Sequence, residues 1–214
     1  MKDKLEKFKS INPVIGCSIG CPYCYARRMN QRFSHTPDFT KPQLFPERLM
    51  QFYKKKPTHW FFTTMSDLSE WDPFWIEATL SVIRRNPQHR YMFLTKRPDK
   101  LHLNLRGLNI CAGVTITCKA DLHRMDELVQ NIKSDAYTVT FEPLFEDLGK
   151  IKFPKKIDYI VIGTETGNRK GKITAKKEWI MNIAEQAHAA GINVIMKAAL
   201  LPIVGEENWI QDDV

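Results

Sequence analysis

The chain has 214 residues, 43% hydrophobic and 26% charged, with a formal net charge of +8. These are globular values for one domain with a sizeable core, and they exclude a disordered or low-complexity chain. No apolar run approaches a membrane span, and the charged, helical-looking Met1 to Lys9 leads into no signal-peptide apolar region, so a cytoplasmic protein is expected.

The expected elements alternate. Ile11 to Gly16 reads as the first strand and ends at a loop, Cys17 to Cys24. Ala26 to Phe33 reads as a short helix. Pro46 opens another to Lys55, since the N–H that proline lacks would have no helical partner there. His59 to Thr64 is the second strand and leaves through Met65-Ser66-Asp67-Leu68. Asp72 and Pro73 suit the N-cap and first turn of a helix to about Arg85. Tyr91 to Thr95 is the third strand, leaving through Lys96-Arg97-Pro98. The fourth, Asn109 to Ile116, precedes a helix from Ala120 to Lys133. Tyr137 to Phe141 exits at Glu142-Pro143, and the crossover from Phe145 to Lys156, broken by Gly149 and Pro154, predicts little helix. Asp158 to Gly163 is the sixth strand and leaves through Thr164-Glu165-Thr166-Gly167. Thr174 is expected to cap a helix that ends at Ala190 before Gly191. Asn193 to Lys197 is a shorter seventh strand, and the tail from Pro202 has no assignment.

Strands alternating with helices imply parallel pairing with helices covering the sheet. The fold class is therefore α/β: an incomplete (βα)6-type parallel barrel, a partial TIM barrel, with a seventh short strand. It forms one domain over residues 1–214, with its core at about 11–198 and a C-terminal tail at 199–214. In such barrels functional residues gather where strands end. Cys17, Cys21, Cys24, Ser66, Asp67, Lys96, Thr115, Thr117, Glu142 and Glu165 would then share one mouth.

Cys17-Ser18-Ile19-Gly20-Cys21-Pro22-Tyr23-Cys24 has C-x3-C-x2-C spacing with an aromatic before the third cysteine. Three thiolates can hold three irons of a [4Fe–4S] cluster and leave the fourth iron open for chemistry. Two other readings stand beside this one. Cys21-Pro22-Tyr23-Cys24 alone is a thioredoxin-like C-x-x-C. A structural zinc site would need a fourth ligand, for which His35 is available. Neither accounts for Cys17 together with the strand-like run before it. The remaining cysteines, Cys111 and Cys118, are isolated, so the five cysteines make no disulfide framework.

The motif resembles that of the radical S-adenosylmethionine (SAM) superfamily. Further matches extend the resemblance to a phage-associated, mobile-pair family distantly related to spore photoproduct lyases. They are Asn12-Pro13-Val14, Tyr25-Ala26, Met65-Ser66-Asp67-Leu68, Leu94-Thr95-Lys96-Arg97-Pro98, Gly113-Val114, Phe141-Glu142-Pro143-Leu144 and Ile162 to Gly167. The resemblance implies an enzyme with two cofactors, a [4Fe–4S] cluster on Cys17, Cys21 and Cys24, and SAM on the open iron. Reductive cleavage of SAM would give methionine and a 5′-deoxyadenosyl radical that abstracts hydrogen from a substrate. It further implies that Tyr23 packs near the adenine and that Ser66 and Asp67 stand where relatives bind the SAM amino group. Lys96 would pair with the SAM carboxylate, and Gly163 and Glu165 would serve the adenine and ribose side. Thr115 and Glu142 join this cofactor-binding set. Cys118 follows the fourth strand near the mouth, where a thiol could donate hydrogen to a substrate radical as a cysteine does in photoproduct lyases. The family does not regularly place a cysteine there, and the reading of an inert thiol is favoured. Partners implied are an electron donor of flavodoxin or ferredoxin type and a second protein completing the substrate site.

Charge location suggests the target. Lys54-Lys55-Lys56 and Arg84-Arg85 end helices, as the helix dipole favours. Arg27, Arg28, Lys96, Arg97, Lys119, Arg169, Lys170, Lys172, Lys176 and Lys177 instead belong to the mouth, where a basic rim suits nucleic acid or a nucleotide. Competing readings are a peptide-modifying radical enzyme and a basic metal-binding module that grips nucleic acid without catalysis.

Overall fold

A computed structural model describes residues 8–213. Seven strands follow one another across a single sheet in chain order. They are β1 (Phe8–Ser10), β2 (His59–Phe61), β3 (Arg90–Thr95), β4 (Ile110–Thr115), β5 (Ala136–Phe141), β6 (Tyr159–Ile162) and β7 (Asn193–Met196). Every neighbouring pair is parallel, and the sheet curls into a half-barrel with helices packed against it. The expected partial TIM barrel is the observed fold. Helices α1 (Tyr25–Phe33), α2 (Pro73–Arg84), α3 (Arg124–Asn131) and α4 (Lys177–Ala189) supply crossovers.

Side chains alternate along each strand, which gives the sheet two chemically distinct faces. One face carries Phe93, Val114, Val139, Phe141, Ile160 and Val194. It forms the main core with Leu80 and Ile83 of α2, Leu128 of α3, and Ile180 and Ile183 of α4. The other, concave face has its own small apolar cluster of Tyr159, Val161 and Ile195 beside Cys111. Space there is tight. A Cβ on Gly113 would lie 2.5 Å from Thr138 Cγ2 and 2.6 Å from Leu94 Cδ2.

The first barrel strand is Phe8–Ser10, not Ile11 to Gly16. Pro13 has no N–H for a central ladder, and the Val14–Ile15 segment pairs antiparallel with Gln43–Leu44, outside the main sheet. Phe8 and Lys9, read as helical, are strand because they pair with His59 and Trp60; the rest of Met1 to Lys9 lies outside the described residues. The segment Pro46–Tyr53 is a 3-10 helix. Helix α3 starts later than Ala120 because the preceding turn is used otherwise. The Asp121 carboxylate accepts from Thr117 N and Oγ1, both at 2.8 Å, and pairs with Arg124 at 2.6 Å. Thr174 caps nothing; α4 begins at Lys177 without a side-chain cap. As expected, the Phe145 to Lys156 crossover carries no regular helix.

The tail has a structural role that the sequence left open. Leu200 and Val204 are buried in the main core. Asp212 N donates to Val194 O and Met196 N to Ile210 O, so the tail covers the free edge of β7. Among the described residues no helix is long and apolar enough to cross a membrane.

Candidate active site

The cysteine loop is clamped before it begins. Asn12 Oδ1 accepts from Thr64 Oγ1 at 2.9 Å and from Met65 N at 2.8 Å. Gly16 N donates to Met65 O, and Cys17 N to Phe39 O. Gly16 has φ +116°, and a Cβ there would lie 2.9 Å from Lys41 O and Pro42 Cα, so only glycine fits between β2's exit and that segment. Glu70 holds the loop from outside, accepting from Ser18 N and Oγ, both at 2.5 Å, with Arg97 3.6 Å away. At the far end Cys24 caps α1, its Sγ accepting from Arg27 N at 3.4 Å.

Cys17, Cys21 and Cys24 are half-buried and free. Burial pushes the Cys17 thiol up to about 12, reinforced by the charges of Glu70, Asp67 and Cys21. Among the described residues no three His, Cys, Asp or Glu side chains converge as ligands of a single metal ion, whether His35 is counted or not. A four-iron cluster takes one thiolate per iron, so its ligands need not meet at a point. Three cysteine thiols on one glycine-hinged loop are the kind of donor such a group takes.

Tyr23 ties this loop to three strand exits. Its ring meets Phe145 edge-on at 5.2 Å, the Lys96 ammonium lies 5.8 Å from the ring centre, and its hydroxyl lies within electrostatic reach of Cys21 and Thr117. Burial holds that hydroxyl far above its ordinary pKa. Tyr25 reaches across to Thr64 O at 2.7 Å and feels the charges of Cys24 and Glu142.

The remaining residues fall into groups. Asp67 is buried, and its oxygens accept from Ser69 N and Oγ, Thr95 Oγ1 (2.6 Å) and Lys96 N (2.8 Å). It thereby caps the Leu68–Glu70 turn. Ser66 Oγ accepts from Trp71 Nε1 at 3.0 Å. Lys96 makes no ion pair among the described residues. Thr115 is buried, and its carbonyl accepts from Arg124. Cys118 is half-buried at the start of the turn Lys119–Asp121.

Glu142 pairs with Lys197 at 2.5 Å. Its side chain lies over Gly163, where a Cβ would be 2.7 Å from Glu142 Cδ and Oε1. Glu165 is gripped by Arg169 through Nε (2.5 Å) and Nη2 (2.8 Å), which holds its carboxyl below the usual range, with Arg28 of α1 contributing. Sequence reasoning missed Glu70 and Lys197. Lys197 follows β7 immediately, so the strand-end rule could have found it; nothing in the sequence pairs Glu70 with Ser18.

A curled parallel sheet with a cysteine loop lying across its strand ends defines a half-barrel with one chemically equipped mouth. The same fold occurs in a solved structure of a spore photoproduct lyase point mutant, at a TM-score of 0.55 and 11% identity, over 86% of this chain and 75% of that one. At that identity the likeness is one of fold. The chain belongs to the family described as protein of unknown function DUF5131, whose model matches residues 6–199. No curated protein matches it in sequence.

Proposed function

We propose that the protein is a radical SAM-type enzyme acting on nucleic acid or a nucleotide. The observation that carries this reading is the clamped Cys17 to Cys24 loop, with three half-buried free thiols at the mouth of a fold shared with spore photoproduct lyase. Cys17, Cys21 and Cys24 would hold a [4Fe–4S] cluster with SAM on its open iron, and the bound pair supplies one-electron cleavage of SAM and hydrogen abstraction.

The chain's own residues bind and orient. Tyr23 walls the mouth, and Lys96 offers an ammonium to a carboxylate. Asp67 acts through Lys96, whose main chain it fixes, and Ser66 holds the β2 exit through Trp71. Thr115, Gly163, Glu165 and the Glu142–Lys197 pair line the cofactor side, and Cys118 is the candidate hydrogen donor. Arg28, Lys170, Lys172 and Lys176 supply a basic rim for phosphates. An electron donor and a second protein completing the substrate site are the proposed partners.

The test is anaerobic reconstitution with iron and sulfide, then reduction with dithionite in the presence of SAM. Chromatography for 5′-deoxyadenosine is the assay, and Cys24→Ala is the control. Product from the wild type alone supports the reading. Colourless zinc-loaded protein with no product overturns it in favour of a binding module.

A further inference from the structure

We propose that the outward face of α1 is a stacking track that leads a single nucleic-acid strand into the mouth, an inference that rests on the nucleic-acid reading above. Tyr25, Met29 and Phe33 recur every four residues and so share one side of the helix. They are 53%, 39% and 50% exposed, while Ala26 and Asn30, each about 100° further round the helix than the residue before it in that row, are buried. A row of exposed large apolar side chains has no place in a core, so it needs an occupant.

Aromatic, methionine and arginine side chains suit protein interfaces as well as nucleic acid, and charge decides between them. Helix α1 carries Arg27, Arg28 and Arg32 and no acidic residue, in a chain of net charge +8. The Arg32 guanidinium lies 5.1 Å from the Phe33 ring centre. An Arg28 guanidinium nitrogen comes to 3.7 Å from where a Gly167 Cβ would stand, on the β6 exit loop. Aromatic faces interleaved with cations match a polymer whose repeat carries both a ring and a phosphate.

The row is also continuous with the site. Its inner end, Tyr25, is hydrogen-bonded at the exit of β2 and lies within electrostatic reach of Cys24 and Glu142. Eight residues of helix span about 12 Å, enough to guide several nucleotides outward from the cysteines.

The test uses fluorescence anisotropy on reconstituted full-length protein, with a labelled single-stranded oligonucleotide and an abasic strand of equal length. Phe33→Ala is expected to weaken binding of the normal strand about tenfold while leaving the abasic strand unchanged, since only bases stack. Arg32→Ala should flatten the slope of log affinity against log salt by about 0.7, the share of one phosphate contact on a single strand. Iron content and uncoupled SAM turnover should match wild type in both variants. Equal binding of the normal strand by wild type and Phe33→Ala overturns the track and spares the nucleic-acid reading. Wild type that binds no strand at low salt overturns both, while SAM turnover still decides whether the protein is an enzyme. A defined second protein whose binding, unlike that of the strand, is lost in Phe33→Ala overturns the track in favour of a protein-docking face.

Discussion

Replacing Gly163 by alanine tests the geometry at the β6 exit. The new Cβ would lie 2.7 Å from Glu142 Cδ and Oε1 and 2.8 Å from Cγ. No left-handed backbone is involved, so the cost arises from contact alone. Glu142 must swing away and give up Lys197, with which it pairs at 2.5 Å. Overpacking costs about 1–3 kcal/mol. Losing a pair this open to solvent adds about 0–1 kcal/mol. The lower chain entropy of alanine in the unfolded state returns about 0.4–1 kcal/mol. The net lies between about 0 and 3.6 kcal/mol and centres near 2 kcal/mol, which lowers the melting temperature by about 4–8 °C in a chain of this length. Differential scanning calorimetry on preparations of matched iron content measures it, and the informative comparison is a double-mutant cycle. In a Glu142→Ala background the clashing atoms and the Lys197 pair are gone, so Gly163→Ala should stabilise by about 0.4–1 kcal/mol, a coupling of about 1–4 kcal/mol. An equal loss in both backgrounds would show that Glu142 does not lie over Gly163, and the reasoning fails.

Two further substitutions probe the carboxylates. Asp67→Ala strips the acceptor from the buried Thr95 hydroxyl and from half-buried donors on Ser69 and Lys96, and a buried donor left alone costs about 1–3 kcal/mol. A fall of about 2–4 kcal/mol in urea unfolding is expected. Weakened SAM binding in that variant would therefore not be diagnostic. Asp67→Asn is the sharper probe: unchanged SAM affinity at matched iron content removes any direct contact with the ammonium. For Glu165 the sign follows from Arg169, which holds the folded carboxyl below its unfolded value. The stabilisation is complete above an unfolded pKa of about 4.3 and disappears as pH falls through the folded value. Urea midpoints of wild type and Glu165→Gln should thus differ at neutral pH and converge in acid. A gap that stays constant with pH would show that the Arg169 pair contributes no stability.

Where the chain could be read, local chemistry decided the outcome. Asp72 caps α2 as expected, its carboxylate accepting from Phe74 N at 2.8 Å, because the bond closes within three residues. Strands β3 to β7 fall within a residue or so of their expected limits, since buried parallel strands read as short β-branched and aromatic runs. Reading failed where a distant partner chose between local options. Phe8 and Lys9 end a charged stretch that looks helical, yet β2 offers them a ladder and they become strand. Thr174 has the side chain of a cap, but the Ala175 N beside it donates to Thr164 Oγ1 from eleven residues earlier.

The same division runs through the site. The cysteine spacing, the aromatic before Cys24 and the polar residues after each strand are set by covalent order, so the sequence alone determined which residues stand at the strand ends. It could not determine what each of them touches there. Asp67 and Ser66 spend their oxygens on Lys96, Thr95, Ser69 and Trp71, whereas Lys96 leaves its ammonium over Tyr23. The pairing of Glu142 with Lys197 joins residues 55 positions apart because β6 alone separates β5 from β7 in the sheet. Hydrogen bonds and ion pairs form over a few ångströms, and only the curvature and register of the sheet set those distances.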